Sequence, residues 1–145
     1  MTRDFDVYAL EIAKLVASRG TCPRRQVGCI TVDKYKKILS TGYNGVPSGY
    51  PHCIETPCGG HAEKSGLGLD MCMATHAEQN ALLQCHDVSQ IETIYCTTMP
   101  CIHCAKLICN TGTKRVVFMD PYKGSAADLF LSVGIALDQR NINPD

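Results

Sequence analysis

Between Phe5 and Arg19 apolar side chains recur at Phe5, Tyr8, Ala9, Ile12, Leu15 and Val16, the spacing of one helix face, and Gly20 follows as a stop signal. Two short apolar runs, Val27 to Val32 and Lys37 to Tyr43, flank the polar turn Asp33-Lys34-Tyr35-Lys36 and read as neighbouring strands. Beyond residue 74 the period switches back and forth. A helix is expected over Thr75 to Cys85, a strand over Glu92 to Thr97 and a helix over Cys101 to Thr111, ending at Gly112. Arg115 to Met119 reads as a strand, Lys123 to Ser132 as a helix and Gly134 to Leu137 as a last strand. Strands alternating with helices predict a layered α/β sheet whose loops at one end carry the site.

Asn44 to Ala74 breaks this pattern. A loop that long is unusual inside a compact domain and is usually functional or disordered, and this one is dense in Gly, Pro, Cys and His. At 145 residues the chain is expected to form one domain, residues 1–145, able to bury a core without staples. Its formal charge is zero, and it has six Tyr, three Phe and no Trp. Neither a basic footprint nor a stacking platform for a nucleic-acid polymer is present, so a small ligand is the better expectation. No run approaches a membrane span, and the first residues lack the apolar core of an export signal, so the expected location is cytoplasmic. Ten cysteines then call for metal or catalysis rather than disulfides.

The sharpest chemistry lies in His76-Ala77-Glu78 and Pro100-Cys101-Ile102-His103-Cys104. One imidazole and two thiolates supply three ligands of a tetrahedral zinc and leave one position open for water. Pro100 suits a helix start, and Cys101 and Cys104 then project from one face of its first turn, where the helix dipole favours thiolate. Glu78 is placed to move protons for the water. Each piece has a plainer reading. Thr75-x-x-Glu78 also fits a capping box, and a lone C-x-x-C also fits a redox motif or a closed zinc site. His103, between the two cysteines, points off their shared face and is rejected as a fourth ligand. In combination, the H-x-E…P-C-x-x-C arrangement is the signature of zinc nucleobase deaminases.

Around these residues the chain resembles the deoxycytidylate (dCMP) deaminases and their relatives of the late-competence type. The likeness rests on Ser18-Arg19, Cys22-Pro23-Arg24-Arg25-Gln26-Val27-Gly28, Gly42-Tyr43-Asn44-Gly45-Val46-Pro47-Ser48-Gly49, His76-Ala77-Glu78-Gln79-Asn80-Ala81, Thr98-x-Pro100-Cys101-x-x-Cys104-Ala105-Lys106 and Asp120-Pro121-Tyr122. It implies a three-layer α/β/α cytidine-deaminase-like fold around a central mixed sheet of about five strands. It also implies hydrolysis of dCMP to dUMP, a thymidylate precursor, with Glu78 carrying a proton to ring N3 and another to departing ammonia. By the same resemblance Asn44 contacts the sugar and Tyr122 lies against the nucleotide. Arg24 and Arg25, and less directly Arg19 and Lys123, are the cations available for a 5′-phosphate.

The family's regulators, dCTP as activator and dTTP as inhibitor, bind around residues matching Gly42, Tyr43, Asn44, Gly45 and Pro47, with Mg2+ accompanying the triphosphate, and the relatives are commonly hexamers. Some relatives carry a second, structural zinc with ligands matching Cys22 and Cys53. Cys58 and Cys72 complete the set here, with His52 and His61 as alternatives, and such a site would keep the long loop ordered. Cys29, Cys85, Cys96 and Cys109 fall in strands or helices and are expected in the core. Two other functions stay open at this point: deamination of another cytosine or amino-purine substrate, and a catalytically silent nucleotide sensor that keeps zinc as structure.

Overall fold

The computed structural model describes residues 4–21, 25–45, 75–122 and 124–142. Within them run α1 (Phe5–Ala17), β1 (Gly28–Val32), β2 (Ile38–Tyr43), α2 (Ala77–Gln84), β3 (Thr93–Thr98), α3 (Ile102–Ile108), β4 (Arg115–Asp120), α4 (Ala126–Ser132) and β5 (Ala136–Gln139). The helices and strands read from the pattern are all present, most with ends shifted by one to three residues. A short 3-10 turn at Val88–Gln90, held by the Asp87 side chain, was not foreseen. Such a turn is too short to leave a periodic trace.

The five strands form one mixed sheet in the order β2-β1-β3-β4-β5. β1 runs antiparallel to both β2 and β3, whereas β3, β4 and β5 are parallel. Parallel neighbours need crossovers, which α3 and α4 supply. Residue parity sorts the core into two layers. Cys29, Ile94, Cys96, Val116 and Phe118 pack with residues of α2, α3 and α4. Ile30, Val32, Tyr95 and Val117 pack with Ala9, Leu10 and Ala13 of α1. The architecture is therefore three-layered, with α1 on one face and, among the described residues, α2, α3 and α4 on the other.

The α1 face differs from its sequence pattern. Ala9, Leu10, Ala13 and Ala17 are buried, while Tyr8 is 50% and Leu15 72% exposed. The reason lies across the interface: any Cβ at Gly28 would overlap the Ala13 carbonyl oxygen and the Ala17 nitrogen. The helix lies so close to β1 that alanines face the strand at the closest approach, with Leu10 buried and Phe5, Ile12 and Val16 packed beside them, while Tyr8 and Leu15 stand outward. Of the cysteines expected in the core, Cys29 and Cys96 are buried, whereas Cys85 and Cys109 are half-buried. Among the described residues no helix is long and apolar enough to cross a membrane.

Candidate metal centre

Two helix starts meet beside the carboxyl end of β3. After Thr98 the chain is fastened to β4 by the Met99 N–H donating to the Asp120 carbonyl (2.8 Å), then passes through buried Pro100 to Cys101, the N-cap of α3. Cys104 follows in the first turn of that helix. His76 is the N-cap of α2, and Glu78 lies in its first turn. Gln79 Oε1 accepts the His76 N–H at 2.9 Å. The cap of this helix is thus His76 with Gln79, one residue on from Thr75 with Glu78, and Glu78 has no capping part to play.

His76 Nδ1 lies 3.3 Å from Cys104 Sγ and 3.5 Å from Cys101 Sγ. The three ligand atoms fall within 4.8 Å of one another. Zinc held tetrahedrally by thiolate and imidazole would separate nitrogen and sulfur by about 3.6 Å, given the usual bond lengths. The donor set therefore fits zinc in kind and in spacing, with three protein ligands rather than four. His103, between the cysteines, is exposed and stands apart from the cluster.

The centre is dry. Cys104 is 0%, Glu78 5% and Cys101 7% exposed. Burial pushes the Glu78 carboxyl above its ordinary range, opposed in part by the neighbouring His76. The hydrogen bond with Cys104 brings the Cys101 thiol down to about 3, and His76 adds to this. Cys104 is pushed up, because it donates to Cys101 and is buried beside Glu78. The Cys101 partnership raises His76. Without a cation the site holds one thiolate and resists a second; a dication is the natural counter-charge for both.

Around this centre the described residues supply a frame that sequence patterning did not reveal. A Cβ at Gly42 would overlap the Ala77 carbonyl oxygen and the Ala81 nitrogen, so α2 is seated directly on β2. Ser40 Oγ donates to the Ala81 carbonyl at 2.8 Å and meets Thr31 Oγ1 at 2.6 Å, all buried. Gly42 thus has a packing role besides any contact with an effector. Asn44 Oδ1 accepts the Val27 N–H (2.8 Å), and its Nδ2 donates to the Arg25 carbonyl (2.6 Å). Gly45 pairs with Thr75 in an isolated bridge. The Arg19 guanidinium lies 5.9 Å from the Tyr43 ring centre, and Tyr122 packs on the larger core layer. Arg24, Pro47, Lys123, the four cysteines Cys22, Cys53, Cys58 and Cys72, and His52 and His61 lie outside the described residues. Asn80 and Gln79 were quoted in the sequence only as part of a motif; their partners are main-chain atoms, which composition and spacing do not reveal.

Residues 3–120 match the model of the cytidine and deoxycytidylate deaminase zinc-binding region. The chain is 38% identical over 141 residues to a deoxycytidylate deaminase of Schizosaccharomyces pombe, covering 93% of this chain and 44% of that one. It therefore spans less than half the length of that relative. It is 40% identical over 121 residues to a deoxycytidylate deaminase of Mycobacterium phage D29, covering 79% of this chain and 94% of the phage protein. In structure it is similar to the dCMP deaminase of cyanophage S-TIM5, solved in complex with dCMP and dUMP. The TM-score is 0.75 at 27% identity, over 97% of this chain and 99% of that one.

Proposed function

The chain belongs to the cytidine and deoxycytidylate deaminase family, and on that premise we propose that it hydrolyses dCMP to dUMP with release of ammonia. The observation that carries the proposal is Glu78: a buried carboxyl standing beside a three-ligand His/Cys/Cys centre, in a chain similar to a protein solved with both dCMP and dUMP. His76, Cys101 and Cys104 would hold zinc, which would supply a Lewis acid able to activate water near neutral pH. Glu78 takes a proton from the attacking water and delivers it to N3 of the ring as the C4–O bond forms. It then relays the second water proton to the amino group, and the C4–N bond breaks with ammonia leaving. Burial raises the Glu78 carboxyl above its ordinary range in the metal-free site. A silent sensor would not need this carboxyl.

For the substrate we assign Arg24 and Arg25 to the 5′-phosphate, Asn44 to the sugar and Tyr122 to the face of the nucleotide. The hold of Asn44 on the Arg25 carbonyl supports a joint role for the first three, because it ties the Arg25 main chain to the Tyr43–Gly45 segment. The same reading extends to a structural zinc on Cys22, Cys53, Cys58 and Cys72. It also extends to dCTP and dTTP as effectors with Mg2+, a hexamer, and a reducing, cytoplasmic setting for the thiols. These rest on the resemblance to the family.

Ammonia release from dCMP, compared with deoxycytidine and CMP, is the test. Rapid turnover of dCMP with slow turnover of deoxycytidine is expected; equal rates would remove the phosphate from recognition, and none on any cytidine compound would overturn the proposal. Metal analysis is expected to find two zinc ions per chain, and a single one would remove the cysteine set.

A further inference from the structure

One side chain links the helix that bears His76 and Glu78 to the segment facing it. Asn80 Nδ2 donates to the Tyr43 carbonyl at 2.8 Å and lies 3.5 Å from the Thr75 carbonyl. The Thr75 carbonyl also accepts from the Gly45 N–H (3.1 Å), and the Thr75 N–H donates back to Gly45 (2.7 Å). From there Asn44 reaches the Arg25 carbonyl and the Val27 N–H. Gly28, next in sequence, donates its N–H to Thr97 Oγ1 near the end of β3 (3.1 Å), and β3 leads into Cys101. These bonds close a ring from α2 through residues 43–45 and 25–28 to β3 and back to the metal ligands.

Within that ring Asn80 is the side-chain member attached to α2. An amide suits the place because both of its N–H groups can face carbonyl oxygens. A carboxylate of the same shape donates nothing and would set negative charge against two acceptors. Removing the donor leaves the Tyr43 carbonyl short of a partner without disturbing His76, Glu78 or either cysteine.

We infer that Asn80 is a positioning residue: by holding the Tyr43 and Thr75 carbonyls it sets the distance between the proton-transfer helix and the Tyr43–Gly45 and Arg25–Val27 segments on which the sugar and phosphate would dock. The inference rests on the proposed function for its substrate, but its structural half stands apart from it. It acts on binding more than on chemistry, because the metal ligands and Glu78 are fixed by other contacts.

Asn80→Asp in the full chain tests this, with Asn80→Gln, which keeps the amide, as the conservative variant. In Asn80→Asp, KM for dCMP is expected to rise at least about tenfold, with kcat within about threefold and metal content unchanged. Asn80→Gln is expected to fall between it and the wild type. Amide hydrogen exchange at Gly45 and Thr75 is expected to quicken at least about tenfold in Asn80→Asp, whatever the substrate. Unchanged exchange in both variants overturns the inference, as does a fall in kcat with KM unmoved. If Asn80→Asp does not fold, a raised KM with quickened exchange at Gly45 and Thr75 in Asn80→Gln supports the inference, and wild-type exchange there, or a kcat loss with KM unmoved, overturns it. A wild-type chain that releases no ammonia from dCMP defeats the proposed function alone, and the exchange measurement still judges Asn80.

Discussion

On the α1 face of the sheet, three carboxylates share two arginines. Asp6 accepts from Tyr95 Oη, from both terminal nitrogens of Arg115 and from Arg140. Arg115 also reaches Asp138, and Arg140 reaches Asp4. Asp4, Asp6 and Asp138 each have an arginine partner, and Arg115 holds the Asp6 carboxyl below its usual range. On the opposite face, beside the carboxyl end of β3, an imidazole, two thiols and Glu78 converge with, among the described residues, no lysine or arginine among the groups that shift them, and burial drives the Glu78 carboxyl the other way. Both clusters are packed and hydrogen-bonded. The difference is that each carboxylate of the first cluster meets an arginine, whereas among the described residues the thiols and carboxyl of the second meet none. A cluster that is buried but uncompensated points to a ligand, whereas a compensated one points to stability.

The largest effect should come from the uncompensated side. Glu78→Gln is expected to lower kcat at least about a thousandfold, about 4 kcal/mol in the barrier, with metal content unchanged. Steady-state ammonia release and metal analysis on the same sample check it, and an active variant would break the contrast. Next comes the seat of α2. Gly42→Ala pushes a methyl into the Ala77 carbonyl and should cost about 3 kcal/mol in denaturant unfolding, with reduced turnover because His76 and Glu78 ride on that helix.

Asp6→Ala strips the compensated cluster of its hub, leaves the Tyr95 hydroxyl without its acceptor and should cost about 2 kcal/mol. Its kcat should stay near wild type, and a large catalytic loss would show that the two faces are coupled. The smallest effect is a pH slope. Because the folded Asp6 pKa is lowered, its contribution is complete above the unfolded value of about 3.9 and is lost as pH falls through the folded value. Asp6→Asn should flatten that acid limb in thermal unfolding measured between about pH 5 and pH 2.

Much of this contrast was legible beforehand. The alternation of strand and helix periods gave the layers, and His76, Glu78, Cys101 and Cys104 were identifiable because a zinc site needs few residue types at tight spacing. The orientation of α1 was not legible. Its apolar residues mark one stripe, yet Gly28 on a distant strand brings the backbone so close that Ala13 and Ala17 join Ala9 and Leu10 in the buried face while Tyr8 and Leu15 stand outward. The plainer capping reading of Thr75 with Glu78 fails for a related reason: the Thr75 main chain is committed to pairing with Gly45, and His76 with Gln79 forms the cap.

The sequence by itself determined the candidate ligand set, the helix starts that carry it and the alternation that stacks helices on a sheet, because each is encoded in residue types within a turn or two. Only the tertiary structure decided which carbonyls Asn80 and Asn44 hold, which glycines admit a helix and which charges are cancelled. Those depend on atoms far apart in the chain that meet only when the sheet has formed. The metal site is written locally; the frame that would place a substrate beside it is not.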